Sequence, residues 1–220
     1  MKITMVMMMM MMIGAMAYDS NDVYSPCEDA KVQKSDGFTF GLAFSKKEFF
    51  SFQNVQLSPC DSRLGLAAKS AKLAVFRPKV DEISLLTIDG STPLQAGGYM
   101  VAFAGRKYAA RSLPVMVADN NNTITSFTLV LEFQKGRLQN LFWKSSGCET
   151  CSGPSATCLN EQYCARPTSK CGTHWCSLGI QLAFSGTDKN LEALNSWYEV
   201  SKLRQKSLYG LYEDLRDKLF

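Results

Sequence analysis

The residues best equipped for chemistry are eight cysteines, one histidine and a few acids on strand-like segments. Cys27 and Cys60 stand apart, whereas Cys148, Cys151, Cys158, Cys164, Cys171 and Cys176 crowd into one stretch. An even number of cysteines in an exported chain reads as a disulfide framework, because the compartment oxidises thiols. The simplest partition joins Cys27 to Cys60 and closes the other six among themselves, in pairings that spacing leaves open. A link of that span removes about 4 kcal/mol of unfolded-chain entropy. Two rival chemistries use the same residues. Cys148-x2-Cys151 has zinc-ligand spacing, and His174 with Cys171 or Cys176 would complete a tetrahedron. The same C-x-x-C could be a redox pair, but such pairs open a helix after a strand, and this one lies in a Gly/Ser/Thr/Pro-rich stretch. Export and the remaining cysteines favour structural disulfides for all eight, with no metal and no cofactor.

His174 is the only histidine, so a serine or cysteine triad would have to take it as its base. It lies between Thr173 and Trp175 in the cysteine-rich stretch. No G-x-S-x-G, H-E-x-x-H, G-x-x-x-x-G-K-[ST] or G-x-G-x-x-G occurs. A carboxylate pair of the glycosidase kind depends on spatial distance rather than spacing, and stays open. Glu132 is the most unusual acid, mid-strand beside Thr128 and Val130, a position that the solvent face of an edge strand also explains. No catalytic residue is assigned, and the chain leans away from being an enzyme. Binding asks less. Trp143, Tyr163 and Trp175 could stack on the apolar C–H faces of sugars, or equally cover a disulfide or complete a core. Arg137, Lys135, Lys144 and Arg166 would make a mild basic patch for an acidic polysaccharide, although loop charges of this kind are usually only solvated.

The elements that must position these residues begin with an address. Nine of the eleven methionines lie in the first seventeen residues. Lys2, an apolar run from Ile3 to Ile13 and the small residues Ala15 and Ala17 form a signal peptide over residues 1–17, cleaved after Ala17. The run is too short for the ~20 residues that cross a bilayer. No later segment is apolar enough, so the mature chain is expected to lack a transmembrane segment and to be secreted, extracellular or at the cell surface. Asn121-Asn122-Thr123 is a glycosylation sequon beside Asp119 and Asn120 in a turn. The net charge of +4 is too small for a nucleic-acid partner.

From Phe38 the pattern is that of strands. Phe38, Phe40, Leu42 and Phe44 alternate with Thr39, Gly41 and Ala43, the period of a half-buried strand. Glu48–Phe52, Lys72–Phe76, Ile83–Ile88, Tyr99–Ala104, Pro114–Ala118 and Ile124–Phe133 follow. In the last, Phe127, Leu129, Leu131 and Phe133 share a face. Gln134-Lys135-Gly136-Arg137 is a turn that sends Leu138–Trp143 back as a hairpin partner. The fold class is therefore mainly β: an antiparallel β-sandwich or jelly-roll-like domain of nine to eleven strands over residues 18–220. A cysteine-rich insertion at 147–177, with almost no aliphatic side chains, interrupts it and depends on disulfides. Ile180, Leu182 and Phe184 form one more strand, where Leu182-Ala183-Phe184-Ser185 repeats Leu42-Ala43-Phe44-Ser45. From Thr187 the period becomes helical, with Thr187 or Asp188 as cap and Leu191, Leu194, Tyr198 and Leu203 as a stripe, giving C-terminal α-helices over 187–220.

Three stretches carry a resemblance: Ser126–Phe133 running into Gly136–Leu141, Cys176–Asp188 leading to Leu194–Val200, and Leu203–Gln205 with Ser207–Tyr212. They resemble the plant Expp-type secreted proteins over most of the mature chain. The resemblance implies a plant apoplastic or cell-surface setting and no established activity or site residues. The function expected is a non-catalytic binding module for a cell-wall glycan or an extracellular, apoplastic protein. The alternative is a secreted polysaccharide hydrolase with paired carboxylates.

Overall fold

A computed structural model describes residues 19–89, 97–106, 110–119, 121–144, 148, 151, 156–159, 161–170 and 176–199. In chain order the strands are β1 (Phe40–Ser45), β2 (Ser51–Phe52), β3 (Val55–Gln56), β4 (Lys72–Phe76), β5 (Ser84–Ile88), β6 (Tyr99–Phe103) and β7 (Val115–Met116). They continue as β8 (Asn122–Ile124), β9 (Ser126–Gln134), β10 (Arg137–Lys144), β11 (Thr157–Leu159), β12 (Tyr163–Pro167), β13 (Leu178–Thr187) and β14 (Ala193–Leu194). The protein is mainly β, as the alternating segments require.

One sheet has the order β4-β1-β6-β7, antiparallel throughout. The second has the order β10-β9-β13, with β5 and β14 both pairing the far side of β13. Its centre departs from the antiparallel expectation: β9 and β13 run parallel, in register from Gly179↔Ser126 to Gly186↔Phe133. Phe40, Leu42 and Phe44 from β1 share one core with Met100, Phe127, Leu129, Leu131, Ile180, Leu182 and Phe184. The rings of Phe38 and Phe133 meet edge to face at 5.0 Å. The two Leu-Ala-Phe-Ser segments lie on β1 and β13, one in each sheet.

The alternation in β1 predicts a half-buried strand, yet all six of its residues are buried. The reason is a second layer. Phe50, Leu57, Leu64 and Leu66, from the segment 46–71, cover Ala43, Val101 and Phe103 on the other face of the β1–β6 pair. Small residues facing outward on a strand leave room for such a cap. The Glu48–Phe52 strand is corrected accordingly: Lys47–Phe50 is a 3-10 turn that plugs Phe50 into this layer, and only Ser51–Phe52 is extended.

The β9–β10 turn is as expected, with Lys135 and Gly136 both at positive φ (52° and 75°). The described part of the cysteine-rich insertion holds regular structure. β11 and β12 form a hairpin that pairs with β8, and Ala165 is wholly buried in the main core. The helix from Thr187 is also corrected. Asp188 accepts the N–H groups of Asn190 and Glu192 (2.7 and 2.9 Å), which makes a tight turn, and Ala193–Leu194 returns as a strand on Gly186 and Thr187. Helix begins at 196 and is described to 199; residues 200–220 lie outside the described residues, as do 1–17.

Candidate functional site

The Cys27–Cys60 disulfide forms as expected, 33 residues apart in sequence with Cα atoms 5.6 Å apart. It joins two copies of one local sequence, Ser25-Pro26-Cys27-Glu28 and Ser58-Pro59-Cys60-Asp61. Serine then proline opens a β-turn, because proline presets φ and the serine oxygen accepts the N–H two residues on. Both copies do this. Cys27 N–H donates to Ser25 Oγ (3.2 Å) and Cys60 N–H to Ser58 Oγ (3.3 Å). Glu28 N–H donates to Ser25 O (3.3 Å) and Asp61 N–H to Ser58 O (2.8 Å). The cross-link thus sets two like turns beside each other, each contributing a hydroxyl and a carboxylate.

Between them lies a cleft of about 340 Å³, lined by Ser25, Glu28, Ser58, Asp61, the disulfide and Arg106. Arg106 N–H is held by Asp29 Oδ1 (3.0 Å), and its Nε reaches Cys27 O (3.4 Å). Asp61 is a fixed anion. Arg63 donates to it from its guanidinium, through Nε (2.9 Å) and Nη2 (2.7 Å), and from its backbone N–H (3.0 Å). These bonds hold the carboxyl down at about 2. A smaller recess of about 20 Å³ has an apolar floor of Phe38, Ala104, Ala110 and Leu138, and shares Glu28 with the cleft.

Tyr24, the residue before Ser25, is 68% exposed, and one face of its ring lies 4.1 Å from the Arg77 guanidinium. Arg77 is itself fixed by Val23 O (2.6 Å), Thr39 Oγ1 (2.8 Å), Asp19 (2.8 Å) and Asn21 O. Burial raises the Asp19 carboxyl, but hydrogen bonds from Arg77 and from the N–H groups of Asn21 and Gly37 outweigh it and hold the group below its ordinary range. The result is an aromatic face oriented at the edge of the Ser25 turn.

The other residues singled out by sequence lie elsewhere. Cys148 pairs with Cys158 and Cys151 with Cys164, so the C-x-x-C is neither a zinc site nor a redox pair. Cys176 is disulfide-bonded too. Cys171, His174 and Trp175 lie outside the described residues. Trp143 and Tyr163 are partly buried and lean on Phe127, each ring 5.6 Å from it, so they finish the core instead of meeting at the cleft. Asn121 is exposed, with its N–H on Asp119 Oδ1 (2.8 Å). Glu132 sits on the outer side of β9 and accepts from Asn140 (3.3 Å). The proposed basic patch is split: Lys135 and Arg137 flank one end of β10 and Lys144 the other, ~23 Å away at strand rise.

The most deeply buried acids are not a catalytic pair. Asp36 accepts the N–H groups of Ser20 (2.7 Å) and Gln33 (2.9 Å). Asp188 accepts from Lys34 N–H (3.0 Å) as well as from its own turn, and Asp81 accepts from Asn195 and Ser196 (both 2.8 Å). Asp188 spends its oxygens on backbone groups, while Asp36 also accepts from the Ser20 hydroxyl and Asp81 pairs through its second oxygen with Lys34. Among the described residues no group of three or more His, Cys, Asp or Glu is placed to hold a metal ion, and no helix is long and apolar enough to cross a membrane.

Sequence reasoning missed the cleft, although a signal was available. The repeated Ser-Pro-Cys-acid sequence, once Cys27 is paired with Cys60, places both acids and both serines together.

The fold and site define a disulfide-stapled, mainly β protein with a polar surface cleft built on one of its cross-links. A family model described as "Uncharacterised protein DDB_G0273449" matches residues 1–123 and 112–215, and the chain belongs to that family. This overturns the plant Expp-type resemblance. Its first two stretches fall on β9–β10 and β13, whose alternating Phe, Leu and Ile serve a core that many β proteins need. Comparison with curated proteins and with solved structures found no match.

Proposed function

We propose that this is an exported, non-catalytic module that binds an extracellular or cell-wall glycan, and that the cleft on the Cys27–Cys60 disulfide is where it does so. The observation that carries the reading is the pairing of the two Ser-Pro-Cys-acid turns around Arg106. Two hydroxyls, two carboxylates and a guanidinium face one cleft, the mixture of donors and acceptors that sugar hydroxyls require. Tyr24 supports it with an exposed ring for an apolar sugar face. Disulfides and the absence of a membrane-crossing helix among the described residues are consistent with an extracellular protein.

A carboxylate-pair hydrolase is the second reading, because Glu28 and Asp61 line the same cleft. Arg63 weakens it by occupying both oxygens of Asp61, which leaves that carboxylate a poor nucleophile or base. A glycan array and polysaccharide pull-down on the oxidised chain test the binding reading. Retention that drops about tenfold in Arg106→Ala and Asp61→Asn supports it, and no retention by the unaltered chain sinks it. Glycan cleavage abolished by Glu28→Gln would instead establish the hydrolase.

A further inference from the structure

A second cleft differs from the first in sign. About 400 Å³ in volume, it is lined by Thr125, Arg166, Lys170, Cys176 and Ser177: two cations and two hydroxyls, with no carboxylate among the described residues that line it. It lies where the three-stranded sheet β11-β12-β8 abuts the second sheet of the sandwich. Thr125 N–H donates to Cys164 O (3.2 Å) and Gly179 N–H to Thr125 O (2.8 Å), which fixes the junction. Strand alternation aims the charge. Ala165 is wholly buried and Tyr163 packs on Phe127, so Arg166 between Ala165 and Pro167 faces outward, opposite Thr123 in register. Lys170 closes the 3-10 turn Thr168–Lys170, and Thr168 N–H anchors that turn to Asn121 O (2.7 Å).

Two like charges around one cleft repel each other, and an oxyanion between them removes the repulsion. Arginine adds a planar fork matched to carboxylate or sulfate, lysine a point charge, and the Thr125 and Ser177 hydroxyls donors for neighbouring oxygens. The volume falls in the range of small-ligand sites, ~300–1,000 Å³, more than a bare ion fills. We propose that this cleft binds the acidic group, carboxylate or sulfate, of an anionic saccharide. The site shares no residue with the cleft at Cys27–Cys60, so either can fail without the other.

Calorimetric titration of the oxidised full chain with a uronic-acid trisaccharide, a sulfated disaccharide, a neutral glucose trisaccharide and inorganic sulfate tests this. The acidic saccharides are expected to bind saturably and the neutral one not to bind. Affinity is expected to fall about tenfold in Arg166→Gln and in Lys170→Gln, and to fall as salt rises from about 50 to about 300 mM. Both side chains are exposed, so circular dichroism of the variants should match the unaltered chain. Lys135→Gln, at the far end of the hairpin, should bind normally. Equal binding of acidic and neutral sugars, unchanged affinity in the two variants, or no saturable binding would overturn the proposal. Sulfate ion binding as tightly as the saccharides would overturn the saccharide and leave a simple anion site.

Discussion

The ring of Phe103 on β6 sits directly over Gly41, its partner on β1. A β-carbon on Gly41 would come within 2.6 Å of Cε1 and closer still to Cζ. Phe103 is only 3% exposed and belongs to the layer beneath the 46–71 cap, so its ring has little room to withdraw. Gly41→Ala is expected to cost about 1–3 kcal/mol through overpacking, read as a lower urea midpoint with an unchanged slope. Adding Phe103→Leu should recover part of that loss. Strictly additive effects would show that the two residues do not compete for space.

The cap depends on its cross-link. Replacing Cys27 and Cys60 together by serine should lower stability by about 4 kcal/mol on loop entropy alone and dissolve the cleft, since the two turns are held together there. Limited proteolysis should then cut within residues 46–71 before it cuts β9 or β13. Equal resistance of the cap with and without the disulfide would contradict this.

Asp81 ties distant parts of the chain together. Its side chain is 1% exposed, pairs with Lys34 at 2.8 Å, and accepts the N–H groups of Asn195 and Ser196 where the helical turn 196–199 begins. Asp81→Ala removes a cap and a charge-assisted contact together, and should cost about 2–3 kcal/mol. Hydrogen exchange should accelerate first at residues 193–199. Uniform acceleration across both sheets would mean that the contact is part of the global core instead.

The pH profile follows from three shifted groups. Asp61 is held at about 2 against an ordinary 3.8, and Asp19 is shifted the same way. A lowered carboxyl contributes stability above its unfolded value, so both contributions are present at neutral pH and fade as pH falls below 3.8, that of Asp61 towards about 2 and that of Asp19 through its own lowered value. Lys34 is raised above 10.5, chiefly by its hydrogen bond to Asp81. Its contribution is complete below 10.5 and is lost as pH climbs through the raised value. Denaturation midpoints against pH should show both arms. Asp61→Asn should reduce the acid arm and Lys34→Met the alkaline one, and 1 M salt should mask the exposed Asp61–Arg63 pair.

Asn121→Gln, expressed through a secretory pathway, should lower the apparent mass by one glycan, and glycosidase treatment of the unaltered chain should give the same mass. Thr123, the hydroxyl residue of the sequon, is only 2% exposed. Chain refolded before contact with the transferase is therefore expected to be glycosylated less than nascent chain. No mass difference between the two forms would show that the site is unused.

The strands were legible wherever one face alone meets the core. Phe127, Leu129, Leu131 and Phe133 announce β9, and Gly136 announces its turn, because period and turn chemistry are local properties of the chain. The Cys27–Cys60 pair was legible as the simplest partition, because those two cysteines stand apart from the clustered six. Residues 187–194 were misread because Leu191 and Leu194 fall at helical spacing while the Asp188 side chain holds a turn, and side-chain competition for backbone N–H groups outweighs a short periodic pattern.

The sequence alone determined the β character and the participation of the cysteines in a disulfide framework. Only the tertiary structure decided which side chains meet. It packed Trp143 and Tyr163, partly buried, against Phe127, parted Lys135 and Arg137 from Lys144, and brought Ser25, Glu28, Ser58 and Asp61 to one cleft and Arg166 and Lys170 to another. Strand patterns record which face is buried, whereas convergence depends on sheet order and on cross-links between residues far apart, which no local period encodes.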